Sequence, residues 1–309
     1  MNKSSRRIIW LLRILFLVMG SSLLLFSQTG SVDNTPIGQK TQVESEINWQ
    51  TGTLTLFVSS TLQPETVNPA SAVTILSQRM ANNRIAFVLQ AMMEIRVNSS
   101  TRIREIAKEN PQLLRDIEAL AAESTIQPYI LSPDLQRVTL PITVNLFPKL
   151  SDLLVNHRVP TSLPRVFTTQ VPASHTGLVI FAGEPLAVHG EFLRGEQRYS
   201  EILPAMFLDL YDEDLTALLK PNQMDPGYLT RWGAAAYTSD FDEDQFRDRI
   251  GANPLRVSAT ALFGINDTDI IIPNRSASVL LSNPENHRIL TQGRILIIIP
   301  EHRLIESLP

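Results

Sequence analysis

The sequence contains no cysteine among its 309 residues. Disulfides are therefore excluded, and with them thiolate zinc sites, cysteine nucleophiles and a diacylglyceryl anchor, which needs a cysteine just after an export signal. Stability has to come from core burial. An excess of positive charge is also lacking: 27 Lys and Arg stand against 31 Asp and Glu, for a net charge of −4. The basic residues are scattered, with no basic block after Arg13, so no cationic field is present to hold nucleic acid. Histidine is scarce as well. His157, His175, His189, His287 and His302 form no i, i+4 pair and no His-Glu-x-x-His. Phosphate-cradling glycine loops and the G-x-S-x-G nucleophile elbow are absent too.

What is present first is a signal of destination. Lys3, Arg6 and Arg7 form a positive head before an apolar run from Ile8 to Phe26, broken at Arg13. The clean core, Ile14 to Phe26, is about 13 residues long, which suits a secretory h-region rather than a bilayer span of about 20. Thr29 and Ser31 supply small residues for cleavage, with Ser27 a second choice. Residues 1–31 therefore read as an export signal, with an uncleaved inner-membrane anchor as the alternative. The expected location is the periplasm or cell envelope. Membrane contact runs through the N-terminal segment only if it stays uncleaved.

With 43% hydrophobic and 19% charged residues, the remainder is that of a globular protein and exceeds the usual size of one domain. The expected fold class is α+β: two mixed α/β domains, helices packed on small sheets, the C-terminal domain strand-rich. Residues 32–47 read as a flexible spacer, 48–156 as the first domain, 157–172 as a proline-rich linker and 173–305 as the second domain. Alternation over Thr53–Ser60 predicts a strand. Asn68–Pro69 predicts a helix start, and Leu76, Met80, Ile85, Val88, Met92 and Ile95 share one face of a single long helix. A helix capped by Ser99 or Ser100 carries Ile103, Ile106 and Ala107 inward. Another begins at Asn110–Pro111 with Leu113, Leu114, Ile117, Leu120 and Ala121 inward, so that residues 98–132 are mostly a helical hairpin.

Val138–Phe147 alternates as a strand, with Pro141 suggesting an edge or bulge. Later strands are expected at Thr176–Ala182, Ala205–Tyr211, Leu215–Leu219, Ala234–Tyr237, Leu255–Phe263 and Asp269–Ile272. Short helical turns are expected at Ser276–Leu281 and Asn286–Leu290. Arg294–Ile299, apolar on both faces, belongs at the centre of a sheet.

Candidate chemistry is thin. Asp240, Asp242 and Asp244 have the spacing of the first calcium-loop ligands, but Gln245 and Gly251 replace the required glycine and glutamate, so a solvated turn is the better reading. Asp209, Asp212, Glu213 and Asp214 offer paired carboxylates for a glycosidase, set against a hydrated hairpin turn. His175 and His189 flank one loop and are the histidines that convergence would bring together. Asn98, Asn266 and Asn274 head N-x-[ST] triplets. Tyr228, Trp232 and Tyr237 are either stacking surface or core. No catalytic, cofactor-binding or metal residue is assigned, and no cofactor is implied.

One resemblance runs through these segments. His175-Thr-Gly-Leu-Val-Ile-Phe-Ala-Gly183 and Leu203-Pro-Ala-Met-Phe-Leu-Asp-Leu-Tyr-Asp-Glu-Asp214 resemble a "YTGLVIDARG…P…P.IYDEDG" signature of bacterial envelope proteins. That signature belongs to small outer-membrane lipoproteins and the flagellar assembly protein T group. Met224–Tyr228, Trp232–Tyr237, Ile250–Leu255 and Gly293–Ile299 continue it, and Asn48–Leu54 is similar to the opening of uncharacterised spirochaete-type envelope proteins. Phe181-Ala182 replaces the acidic-arginine pair, and Leu215 stands where the turn glycine is expected. The resemblance implies an envelope location and a structural or binding role, with envelope or flagellar proteins as partners. The alternatives are an envelope hydrolase built on His175, His189, Asp212 and Asp214, or a periplasmic small-ligand binder.

Overall fold

The computed structural model describes residues 41–62, 69–166, 169 and 172–309. The expected signal at 1–31 and the Asn68 cap lie outside the described residues. Lys40–Pro309 forms one compact unit.

The first module is an antiparallel sheet with helices on one face. Strands β1 (Gln42–Asn48) and β2 (Thr53–Thr61) pair in register from Gln42–Ser59 to Asn48–Thr53. The alternation read in β2 is real: Leu54, Leu56, Val58 and Ser60 point inward and their neighbours do not. Helix α1 (Pro69–Asn82) then gives way to α2 (Arg84–Met93) at Asn83, whose φ of −93° and ψ of 4° leave the helical region. The single long helix is therefore two. Both bury the predicted face, with Leu76 and Met80 on α1 and Val88 and Met92 on α2.

Helix α3 (Ile103–Glu109) starts at Arg102 rather than at Ser99 or Ser100, because the Glu105 carboxylate accepts from the Arg102 amide at 2.6 Å. Helix α4 (Pro111–Ala122) begins as predicted, with the Asn110 side chain accepting from the Gln112 and Leu113 amides, both at 3.2 Å. Leu114 departs from expectation and faces solvent.

Residues after α4 are not helical. They form β3 (Thr125–Ile126) and β4 (Ile130–Leu131), both pairing with one edge of β5 (Arg137–Asn145). Strand β5 pairs with β2 on its other side, so it is an inner strand. Pro141 lies opposite the interruption between β3 and β4. Lacking an N–H, proline cannot carry a continuous ladder, and the neighbouring strand breaks there instead.

The second module holds two sheets. β6 (Leu178–Phe181) lies inside a four-stranded parallel sheet. β7 (Leu186–Leu193) and β8 (Glu196–Ser200) form a hairpin that the sequence reading did not anticipate. β9 (Leu210–Asp212) and β10 (Ala217–Leu219) are the predicted acidic hairpin, with a shorter first arm. Helix α5 (Pro226–Trp232) precedes β11 (Ala236–Thr238), and the turn α6 (Arg247–Ile250) precedes β12 (Leu255–Ser258). The apolar run Leu255–Phe263 is two strands in different sheets: β12 pairs with β6, whereas β13 (Ala261–Phe263) pairs with β7 and with β14 (Asp269–Ile272). Helices α7 (Asn274–Ser282) and α8 (His287–Thr291) lead to β15 (Ile295–Ile298).

The parallel sheet runs β11-β15-β6-β12, and the other runs β10-β9-β14-β13-β7-β8. β15, buried at every position, sits between β11 and β6, as an apolar run covered on both faces requires. This is an α+β fold of two modules.

Two boundaries shift. β1 begins at Gln42, inside the expected spacer. The last strand, β16 (Ile305–Leu308), leaves the second module and pairs antiparallel with β1, from Ser45–Leu308 to Asn48–Ile305. A single buried apolar cluster runs through both modules.

Buried polar contacts seal the junction. Arg96, 6% exposed, grips Glu306 on β16 with Nη2–Oε1 at 2.7 Å and Nη1–Oε2 at 3.1 Å, and donates from Nη1 to the Pro204 carbonyl at 2.7 Å. Trp49 Nε1 donates to the same Glu306 at 2.9 Å. The Trp49 ring meets Tyr237 edge-on at 6.2 Å, and the Tyr237 hydroxyl donates to the Ala205 carbonyl at 3.1 Å. Phe147 reaches over Gly233, where a Cβ would come within 2.7 Å of the ring and where φ is +74°. Both facts require glycine there.

Removing one member of a buried pair strands the other. Arg96→Met is expected to cost about 3 kcal/mol, the low end for such breaks because Glu306 keeps some contact with water. The double variant Arg96→Met with Glu306→Leu should recover part of that loss. Urea unfolding of the three proteins measures both effects; equal losses for the single and double variants would contradict this account.

Candidate functional site

A cleft of about 310 Å³ opens where the first module ends and the second begins. Leu154, Val155, Asn156 and His157 line one side, following the turn after β5. Phe207, Asp209 and Leu229 form the inner wall, and Lys220, Pro221 and Asn222 the other rim. The expected linker forms that first side and is anchored: His157 Nε2 donates to the Met224 carbonyl at 2.8 Å, and the Thr161 amide to the Asn222 carbonyl at 2.9 Å.

Asp209 is the central charge. It stands at the entry to β9, and parallel pairing of β9 with β14 brings it beside Asp269, at the start of β14. The Asp209 amide donates to Asp269 Oδ1 at 3.1 Å, and the Asp209 carbonyl accepts from the Ile270 amide at 3.2 Å. Tyr211 donates its hydroxyl to Asp209 Oδ2 at 3.0 Å. Burial raises the pKa of Asp209 above its ordinary 3.8, and the neighbouring Asp269 charge adds to the rise. Asp269 is raised by burial as well, against hydrogen bonds that stabilise its charge, including that from Thr268 Oγ1 at 3.0 Å. Tyr211 is pushed up by burial and by Asp209.

Only Asp209 of these two carboxylates lines the cleft. Asp269 is 3% exposed and is spent on holding Asp209 and Thr268. Lys220 influences Asp209 electrostatically, yet its ammonium takes part in none of the ion pairs among the described residues.

The other residues singled out from the sequence fall elsewhere. Asp212 organises the β9–β10 turn, its Oδ1 accepting from the Asp214 amide at 3.1 Å and the Thr216 amide at 2.7 Å. Leu215, in the place of the expected turn glycine, adopts a φ of +59°. Glu213 and Asp214 bond Asn274 at the start of α7. Asp240 and Asp242 accept from the amides of Asp242 and Asp244, at 2.9 and 3.0 Å, as a self-capped turn does. Among the described residues no group of three or more His, Asp or Glu is arranged to hold a metal.

His175 and His189 are not brought together: the His175 amide bonds Asn286 at 2.8 Å, while the His189 ring packs edge-on to Phe263. Tyr237 is 2% exposed, core rather than stacking surface. Trp232 donates to the Gln292 carbonyl at 2.9 Å and lies beneath the Arg249 guanidinium. Arg249 is buried without a carboxylate. It donates to the Gly293, Trp232 and Gly233 carbonyls at 2.7–3.0 Å, and burial lowers its pKa to about 9, so it remains charged at neutral pH. Asn98, Asn266 and Asn274 are engaged in local hydrogen bonds.

Sequence reasoning therefore found Asp209 within an acidic group and missed Asp269, Tyr211, Lys220 and His157 as its company. A signal existed. Asp209 interrupts the apolar run Ala205–Tyr211, and Asp269 opens the run Ile270–Ile272; a carboxylate inside a buried strand is costly and asks for a reason.

Two family matches cover most of the chain. Residues 40–153 match the N-terminal domain of Treponema pallidum Tp0624, and residues 177–301 match the second domain of the same protein. The spirochaetal side of the resemblance is the one these matches support. No curated protein matches the chain.

The raised pKa of Asp209 makes a signed prediction. A folded-state carboxyl pKa above its unfolded value means the native state holds the extra proton, so stability is full near pH 3.8 and falls as pH rises through the raised pKa. Asp209→Asn removes that loss. The melting temperature of the variant relative to wild type should climb between pH 4 and pH 7, and a difference that stays constant would show that Asp209 is not so shifted.

Proposed function

We propose that this chain, which carries in order the two domains of the Tp0624 type, is an exported, non-enzymatic protein of the cell envelope that works by binding. The observation that carries this reading is the cleft itself, where one carboxylate faces a possible ligand while its neighbour is spent inside the fold. Glycoside hydrolysis needs two carboxyl groups flanking the scissile bond, one to give a proton and one to attack or activate water. Asp269 is in no position to be the second. His157 already donates from Nε2 to a backbone carbonyl, and His175 with His189, the hydrolase parts read from the sequence, stand apart. The N-terminal charge-then-apolar pattern supports export. Among the described residues no helix is long and apolar enough to cross a membrane. A structural link to flagellar or surface assembly, implied by the His175–Asp214 resemblance, belongs to the same proposal at a finer level.

Cell fractionation with N-terminal sequencing tests the location. Recovery in the envelope or periplasm is expected, and recovery with the cytosol overturns it. A substrate screen on envelope polymers tests the absence of chemistry. Turnover that disappears in Asp209→Asn overturns the non-enzymatic reading.

A further inference from the structure

We propose that the cleft at the module junction is a binding site for a small zwitterion of the amino-acid class, with Asp209 holding the ammonium and Lys220 the carboxylate. The proposal names the ligand of the cleft on which the binding reading rests. Asp209 has one oxygen occupied by the Tyr211 hydroxyl, which leaves Oδ1 as the acceptor for a ligand. Its backbone is clamped on both sides by β14 through Asp269 and Ile270, so the carboxylate is pre-positioned. An ammonium offers three donors and no acceptor. Besides Asp209, the cleft presents His157, whose Nε2 proton is committed to Met224 and whose Nδ1 is then an acceptor in the neutral ring.

Charge decides the class. The buried Asp209–Asp269 pair makes the inner wall electronegative, and both carboxylates gain by meeting a cation. Lys220 sits on the rim of the same cleft and pairs with no carboxylate among the described residues, beside the Asn222 amide. Opposite charges that line one cavity without meeting each other leave a gap that a zwitterion closes at both ends. Leu154, Val155, Phe207, Pro221 and Leu229 supply an apolar wall for a side chain. A cavity of about 310 Å³ is at the small end of ligand sites, which suits a single amino acid and excludes a long oligomer.

The test is calorimetric titration of the full chain in mild detergent with the twenty L-amino acids. Matched probes carry one charge each: isopentylamine for the ammonium alone and 4-methylpentanoate for the carboxylate alone. At least one amino acid with an apolar side chain should bind at least tenfold more tightly than both single-charge probes. Asp209→Asn should weaken it at least tenfold, and Lys220→Gln should bring it down to the affinity of the amine. Lys220 is exposed, so its variant folds, and the melting temperature of Asp209→Asn checks that variant. No binding by any of the twenty at 10-fold molar excess and millimolar concentration, roughly the 4 kcal/mol level, overturns the proposal, as does equal binding of the amine or the acid. Those results leave the non-enzymatic reading standing. Turnover of a bound amino acid derivative overturns that reading and leaves the ligand class intact.

Discussion

The grip of Arg96 on Glu306 is the contact through which the two halves of the molecule hold one another. Glu306 belongs to β16, 210 residues beyond Arg96, and can reach it only because β16 leaves the second module to pair with β1. The same guanidinium donates to the Pro204 carbonyl, and the same carboxylate accepts from Trp49. Trp49 in turn packs on Tyr237, which holds Ala205. A buried arginine is tolerable only with its charge met and most of its donors used, so the chain of contacts locks the last strand, the first sheet and the 204–206 segment into one arrangement.

That arrangement creates the cleft. With the modules held by β16 on one flank and by Phe147 over Gly233 on another, the segment leaving the first module must cross in front of β9 and α5. His157 and Thr161 tether it to the turn at Pro221–Gln223. The space left between is walled by residues of both modules. Inside it, β9–β14 pairing places one carboxylate as a wall and one as a support. The burial of the pair is costly on its own, since two like charges in a poorly solvated place repel. A cost of this kind at a cavity marks a place where selection for binding, rather than for packing, has set the residue.

Much of the architecture was legible because it obeys local periodicity. The strand over Thr53–Thr61, the Asn110–Pro111 helix start and the doubly covered Ile295–Ile298 strand all follow from side-chain spacing against a buried face. The failures have local causes too. Asn83 breaks a helix whose apolar pattern continues across the break, since α1 and α2 bury the same face. The stretch Leu255–Phe263 reads as one strand because hydropathy does not record that the chain changes sheets between Ser258 and Ala261. The hairpin of β7 and β8 escaped notice because Phe192, Leu193 and Tyr199 are exposed, so the apolar residues do not trace a buried face.

The candidate site was legible only in part. Asp209 stood out as a charge in an apolar run, but its neighbours come from positions 157, 211, 220 and 269, and no spacing rule joins them. The sequence by itself determined the α+β class, the composition that rules out disulfides and thiolate chemistry, and most of the elements, because those depend on residues a few positions apart. Only the tertiary structure decided that β16 closes the first sheet, that Asp269 supports Asp209 rather than partnering it in chemistry, and that Lys220 faces the same cleft. Strand pairing and burial act between residues distant in the chain, and a carboxylate's pKa follows from the neighbours that folding brings to it.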